Sequence, residues 1–171
     1  CFGSTKIKTP NIDRLAKEGR KFTNFMVASP VCSPSRAALL TGCYPKRDGL
    51  HQNEKGQGVL FPGNQRGLNP SEITIAEVLK ARGYATGIVG KWHLGFKTWK
   101  YTPQERGFDS FYGYYGGSTD YYTMDTLCWP DGQCFTEDTP THEALSGWDF
   151  HVDRAVLRNS TTYTTVLFTE E

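Results

Sequence analysis

The first half of this sequence contains three helix-start signals, which constrain its fold. Thr9-Pro10 and Ser33-Pro34 each place a capping residue before a first-turn proline, and the segment from Thr74 to Glu77 has the capping-box pattern. Each start is followed by closely spaced apolar residues and then by a glycine suited to end a helix, at Gly19, Gly42 or Gly83. We therefore predict three short helices, the first over about 10–18.

One apolar run follows the first predicted helix, and another follows the third. Phe22 to Ala28 is rich in aromatic and apolar residues, and Tyr84 to Gly90 is a second such run, so we predict that both are strands. The order strand, helix, helix, strand is typical of an α/β fold with a parallel sheet, in which ligands bind beyond the carboxyl ends of the strands. Lys91 and His93 directly follow the second run.

Other stretches have weaker signals. Tyr44 to Pro70 contains many glycines and prolines but few periodic apolar residues, which predicts a long surface loop of the kind that is often functional. Phe108 to Tyr122 is dense in tyrosine and glycine, and Tyr163 to Phe168 reads as the start of a further element. Asp120-Tyr121-Tyr122 either lines a substrate cleft or belongs to a tyrosine-rich core or rim. The remaining histidines are assigned to structure: His51, His142 and His151.

The composition is that of one modest folded domain. The chain has 171 residues, of which 37% are hydrophobic and 22% are charged, and this excludes disordered and fibrous classes. Nineteen basic residues against 18 acidic ones give no electrostatic reason to expect nucleic acid or an anionic membrane as a partner. The longest apolar run is too short to span a bilayer, so we expect no membrane span.

Two features indicate an oxidising compartment. Cys128 and Cys134 bracket a Pro-Asp-Gly turn sequence that would bring both side chains within disulfide reach, the alternative being two free thiols. Asn159 begins an N-glycosylation sequon, which indicates the same kind of compartment in a eukaryotic protein.

Two short motifs carry the residues suited to chemistry. In Cys32-Ser33-Pro34-Ser35-Arg36, a nucleophile beside a helix N-terminus has an arginine one turn on, an arrangement that suits the tetrahedral anion of a phosphate or sulfate ester. Lys91 and His93, two apart at a strand end, are suited to binding an anion and moving a proton. The alternatives are a structural cysteine before an ordinary helix and a surface turn.

Together the two motifs resemble the formylglycine-dependent type I sulfatases of the alkaline-phosphatase superfamily. The first is similar to the family's modification signature, and Gly90-Lys91-Trp92-His93-Leu94-Gly95 is similar to its second conserved segment. Asp120-Tyr121-Tyr122 and the later cysteine pair most resemble arylsulfatase B and its relatives. The resemblance extends over further segments, namely Thr9 to Ala16, Arg106 to Asp109, Gly117 to Tyr122 and Tyr163 to Thr169.

This resemblance implies a sulfuric ester hydrolase with a partial alkaline-phosphatase-like α/β sandwich, in which a mixed, mostly parallel sheet is flanked by helices. It implies that Cys32 is oxidised to formylglycine, with Pro34 and Arg36 recognised by the formylglycine-generating enzyme. The formylglycine would be both nucleophile and calcium ligand, and Arg36 would steady it. Lys91 would bridge it to the sulfate, and His93 would accept a proton. A sulfated small molecule or glycan would be the substrate, in a lysosomal or secreted protein.

The same resemblance implies that residues 1–171 are part of a catalytic domain, cut before the first metal-binding aspartate pair and again at the C-terminal end. This chain differs from the family at Cys43, where the family's signature usually has arginine. Two other functions stay open: a noncatalytic sulfatase remnant or binding protein, and a phosphoester hydrolase of the same superfamily. The second would be expected to use an unmodified serine or threonine, which disagrees with Cys32.

Overall fold

The computed structural model describes residues 2–124, 149–157 and 162–170. Cys128, Cys134, His142 and Asn159 lie outside the described residues, so the predicted disulfide and glycosylation site stay predictions. The helices are α1 (Pro10–Glu18), α2 (Cys32–Thr41), α3 (Pro45–Asp48), α4 (Ile75–Lys80) and α5 (Thr164–Glu170). The strands are β1 (Gly87–Lys91), β2 (Ser110–Tyr114), β3 (His151–Val152) and β4 (Ala155–Val156).

The four strands form one mixed sheet in the order β1-β2-β3-β4. β1 and β2 run parallel, with Lys91 opposite Tyr114, whereas the pairs β2-β3 and β3-β4 are antiparallel. The sheet is therefore mixed, as predicted, and its longest described pairing is the parallel one. Glycines let β1 and β2 meet closely, because a Cβ at Gly113 would lie 1.9 Å from the carbonyl oxygen of Gly90.

The helix starts follow the sequence closely, with one shift. Thr74 and Glu77 form the predicted capping box, in which the Thr74 hydroxyl accepts from the Glu77 backbone N–H and the Glu77 carboxylate accepts from the Thr74 N–H. α2 begins two residues before the predicted position, with Val31 as its N-cap. Ser33 does not cap it, because its buried hydroxyl instead accepts from the Leu60 N–H at 3.2 Å.

The segment from Tyr44 to Pro70 is not the surface loop that we predict. It contains α3, and Leu50, Leu60 and Leu68 are buried in the main hydrophobic cluster beside Trp92 and β2 residue Phe111. These leucines are too widely spaced to give a helix or strand period, so their burial has no sequence signature.

The strand predicted over Phe22 to Ala28 is wrong. The backbone of this segment pairs with no described strand, and Phe25 and Met26 are 70% and 82% exposed. An apolar run becomes a strand only where a neighbouring strand takes up its backbone hydrogen bonds. The second predicted strand is present but begins at Gly87 rather than Tyr84.

Candidate functional site

The two sequence motifs meet in space. Cys32 is the first residue of α2, Lys91 is the last residue of β1, and His93 lies two residues further on. The Cys32 sulfur is 3.2 Å from His93 Nδ1, and Lys91 lies close enough that the Cys32 side chain affects its pKa. The helix N-terminus and the strand end therefore converge at one atom, the Cys32 Sγ.

Leu60, in the 44–70 segment, and Tyr115, directly after β2, hold His93 in one orientation. Its backbone N–H donates to the Tyr115 carbonyl at 3.0 Å, and its Nε2 lies 2.7 Å from the Leu60 carbonyl oxygen. Because a carbonyl only accepts, Nε2 carries the proton and the lone pair of Nδ1 faces Cys32. The backbone φ of His93 is +59°, a left-handed conformation that is uncommon outside glycine and clusters at functional sites.

The surroundings keep this imidazole uncharged. Burial, followed by the charge of Lys91, lowers the pKa of His93 from 6.5 to about 4. The neutral ring therefore presents a basic nitrogen to Cys32 at neutral pH.

Two cations lie around this cluster: Lys91 near Cys32, and Arg36, which bonds the Lys91 backbone. Burial lowers the pKa of Lys91, an effect that the neighbouring Arg36 guanidinium reinforces and the Cys32 side chain opposes. Arg36 Nη1 donates to the Lys91 carbonyl at 2.5 Å, which ties α2 to the end of β1. Arg36 Nε is buried without a hydrogen-bond partner among the described residues, so this guanidinium has a spare donor inside the site.

Other predicted residues lie apart from this cluster or stay untested. Pro34 is buried in the first turn of α2, while Cys43, beyond the end of that helix, donates to Glu72 Oε2 at 3.5 Å. Cys32 and Cys43 are both free thiols. His51 is exposed, so its assignment to structure stays a prediction. The Asp120 carboxylate accepts from two backbone N–H groups of its own turn, and the neighbouring Tyr121 and Tyr122 are exposed.

Sequence reasoning missed three contributors to the site. The Leu60 carbonyl sets the tautomer of His93, and Gly117 leaves room for its ring, since a Cβ at Gly117 would lie 2.8 Å from Cε1 and Nε2. Asp149 accepts from the N–H groups of the two residues before Gly117. A carbonyl carries no residue-type signal, but Gly117 lies in a segment whose glycine density is visible in the sequence.

Within the residues that the structure describes, no three His, Cys, Asp or Glu side chains form a group suited to a metal ion. None of the described helices is long and apolar enough to cross a membrane.

A nucleophile position, a neutral imidazole and two cations at one helix N-terminus define a site for attack on an ester of a tetrahedral anion. The sulfatase family model matches residues 1–165, and the chain belongs to this family. Its mixed sheet flanked by helices is part of the alkaline-phosphatase-like fold of these proteins.

Individual relatives agree with this assignment. Steryl-sulfatase of Mus musculus is 48% identical over 118 residues, covering 66% of this chain and 19% of the relative. Arylsulfatase A of Homo sapiens is 43% identical over 140 residues, covering 78% of this chain and 27% of the relative. The crystal structure of Ps i-CgsB in complex with k-i-k-neocarrahexaose is 32% identical with a TM-score of 0.75, covering 96% of this chain and 35% of that one.

The chain thus spans about a fifth to a quarter of the length of these two curated relatives. The particular likeness to arylsulfatase B stays a prediction.

Proposed function

We propose that this chain carries the nucleophile region of a sulfuric ester hydrolase, which cleaves a sulfate ester to an alcohol and inorganic sulfate. The observation that carries the proposal is the meeting of Cys32, Lys91 and His93 at the N-terminus of α2, in a member of the sulfatase family.

The surroundings of Cys32 fit its conversion to formylglycine. An oxygen in place of Sγ would lie beside the basic nitrogen of His93 and near the Lys91 ammonium group, which is a hydrogen-bond donor. Formylglycine supplies a hydroxyl nucleophile when its aldehyde is hydrated. Pro34 and Arg36 complete the sequence through which the formylglycine-generating enzyme would recognise Cys32.

Lys91 and Arg36 stabilise negative charge in this proposal. Lys91 lies beside the nucleophile position, and a sulfate oxygen above Cys32 would be an acceptor for its ammonium group. Arg36 fixes the end of β1 through the Lys91 carbonyl, and its unpartnered Nε is a donor for the oxyanion or the nucleophile.

His93 accepts the proton. Its Nδ1 faces the nucleophile, its Nε2–H is held by Leu60, and its low pKa keeps Nδ1 unprotonated at neutral pH. One hydroxyl of the hydrated aldehyde would attack sulfur and release the alcohol. His93 would then take the proton of the other hydroxyl, so that the C–O bond to sulfate breaks, inorganic sulfate leaves and the aldehyde is restored.

Membership of the family implies calcium as a cofactor, bound in part through the modified Cys32. Because the described residues provide no group of three ligands, we derive no step through the ion. Calcium prefers six to eight oxygen ligands, so the remaining ligands would come from elsewhere in the complete domain.

We propose a sulfated small molecule or sulfated glycan as the substrate. A steryl-sulfatase among the relatives and an oligosaccharide bound to a structural neighbour support both classes. We also propose a lysosomal or secreted location, which rests on Cys128, Cys134 and the sequon at Asn159.

The test is an activity assay on a complete sulfatase polypeptide that contains these 171 residues, produced in cells with the formylglycine-generating enzyme. We expect hydrolysis of 4-nitrophenyl sulfate, a loss of roughly 10³-fold or more in Cys32→Ala, and near-normal rates in the matched control Cys43→Ala. Faster hydrolysis of 4-nitrophenyl phosphate would indicate the phosphoester hydrolase instead. Absence of turnover with formylglycine present at position 32 would indicate the noncatalytic protein.

A further inference from the structure

A fully buried carboxylate lies behind the site and binds the turn that follows β2. Asp149 Oδ1 accepts from the Tyr115 N–H at 2.9 Å, and its Oδ2 accepts from the Gly116 N–H at 2.7 Å. A buried carboxylate is costly unless donors compensate for its lost hydration. The two oxygens therefore fix the positions of two successive N–H groups rather than one.

This turn supports the His93 imidazole. The Tyr115 carbonyl accepts from the His93 backbone N–H at 3.0 Å, so the residue that Asp149 holds also holds His93. Gly117 packs against the ring so closely that a Cβ there would lie 2.8 Å from Cε1 and Nε2. The ring therefore rests on the backbone of residues 115–117.

A second buried side chain completes the surroundings of Asp149. His151 stacks on Tyr115 with ring centroids 4.2 Å apart, and its Nε2 lies 3.1 Å from Asp149 Oδ1. Its Nδ1 is buried without a hydrogen-bond partner among the described residues. Because a carboxylate oxygen only accepts, His151 Nε2 is the donor in this contact. Asp149 thus receives three donors.

We propose that Asp149 is a positioning residue, which holds the 115–117 turn and through it sets the place of the His93 ring beside Cys32. This inference rests on the proposed function, since it assigns His93 its proton-accepting place. Asp149 acts through the turn and is not itself a catalytic residue.

The sequence offers a matched control for Asp149. Asp153 lies on the same returning segment, and its Oδ1 accepts from the Phe111 N–H at 2.9 Å, near the start of β2 rather than its end. Asp149→Asn and Asp153→Asn both keep the side-chain shape and remove a carboxylate charge. The Asp149 carboxylate accepts from the turn after β2, and the Asp153 carboxylate accepts from β2 itself. Only the first alters the support of His93.

The kinetic test uses the complete formylglycine-containing enzyme, with rates normalised to the folded fraction. In Asp149→Asn a carboxamide NH₂ faces a backbone N–H, so we expect kcat to fall roughly 10- to 100-fold while KM changes less than about threefold. We expect Asp153→Asn to stay within about twofold of the parent. Gly117→Ala, which pushes on the ring directly, is expected to reproduce the loss of kcat.

A second readout does not depend on sulfate hydrolysis. In the unmodified protein, the NMR signal of the His93 Cε1–H group, identified by its loss in His93→Gln, reports the ring's position. We expect it to shift in Asp149→Asn and Gly117→Ala but not in Asp153→Asn. If the parent enzyme hydrolyses no sulfate ester, the proposed function fails and this signal alone decides the positioning role.

Three results would overturn the inference. A folded Asp149→Asn with an unshifted His93 signal and kcat within twofold would show that the turn does not need its carboxylate. Equal losses in both aspartate variants would show a general effect on folding. An unchanged Gly117→Ala would show that the turn does not support the ring, whether or not Asp149→Asn folds.

Discussion

Helices α1 and α2 have nearly the same length, nine and ten residues, yet their environments are opposite. α1 has no buried residue, and Leu15 on its apolar side is 71% exposed. α2 buries Ser33, Pro34 and Ala37. The difference shows that an amphipathic helix is buried only where other elements supply a face for it, which the helix sequence alone does not specify.

The contrast extends to the residues around each helix. Hydrogen bonds from Leu60 to Ser33 and from Arg36 to Lys91 connect α2 to the 44–70 segment and to β1. Around α1 the aromatic and aliphatic side chains instead line an open groove of about 790 Å³, which includes Phe2, Ile12, Leu15, Phe22 and Phe25. The site therefore lies in the packed region, where we expect substitutions to have larger effects than matched substitutions outside it.

The largest effect is expected from the core. Phe111 is 1% exposed and Phe25 is 70% exposed, so the same truncation to alanine has different consequences. We expect Phe111→Ala to lower the free energy of unfolding by about 4 kcal/mol and Phe25→Ala by less than about 0.5 kcal/mol. Urea unfolding measures both, and equal losses would contradict the division into a packed and an unpacked region.

Lowering the pH is expected to destabilise the folded protein through His93. Its pKa is about 4 in the folded protein and near 6.5 when unfolded, so the unfolded chain binds the proton first as pH falls. Stability from this group is complete above pH 6.5, is lost progressively between pH 6.5 and about 4, and amounts to roughly 3 kcal/mol. Unfolding of His93→Gln is expected to lack this component, and identical pH profiles for the variant and the parent would refute it.

Substitutions at the site are expected to reduce turnover more than they reduce stability. In the complete enzyme, Lys91→Ala and His93→Ala are each expected to lower kcat by roughly 10²-fold or more, because they remove charge stabilisation and proton transfer. Lys17→Ala, on exposed α1, is the control and is expected to leave kcat unchanged. Near-normal rates in either site variant would return that residue to a structural role.

The smallest effect concerns the two helix caps. Thr74 is buried, accepts from the Glu77 N–H and donates to the Arg106 carbonyl, whereas the Thr9 side chain makes no capping bond to the backbone. We expect Thr74→Ala to cost about 1.5 kcal/mol and Thr9→Ala a few tenths. Thermal unfolding distinguishes them, and a larger loss at Thr9 would mean that α1 is packed in solution.

The same comparisons show which structural features the sequence predicts and which it does not. The first-turn prolines, the capping box at Thr74 and the glycines predict α1, α2 and α4, because those signals are local. Their details differ: neither Thr9 nor Ser33 makes a capping bond, and α4 ends at Lys80, before Gly83. The motifs also predict which residues meet at the site. Burial is not local, so neither the exposure of α1 nor the burial of the leucines in residues 44–70 can be derived from the sequence.

The short strands beyond β2 show a further limit. β3 and β4 have two residues each and are joined through Asp153, whose backbone φ is +54°. Two residues give no period to recognise, and the pairing of β3 with β2 connects segments far apart in the chain. Asp149 was missed for the same reason, since its partners Tyr115 and Gly116 precede it by more than thirty positions.

The mass of the peptide that contains Cys32 tests the central claim most directly. The peptide would be taken from protein made in cells that contain the formylglycine-generating enzyme, with the Cys43 thiol as an internal reference. The account predicts the aldehyde of formylglycine at position 32 and an unmodified thiol at position 43. An unmodified Cys32 in protein that hydrolyses a sulfate ester, or a disulfide between Cys32 and Cys43, would contradict it.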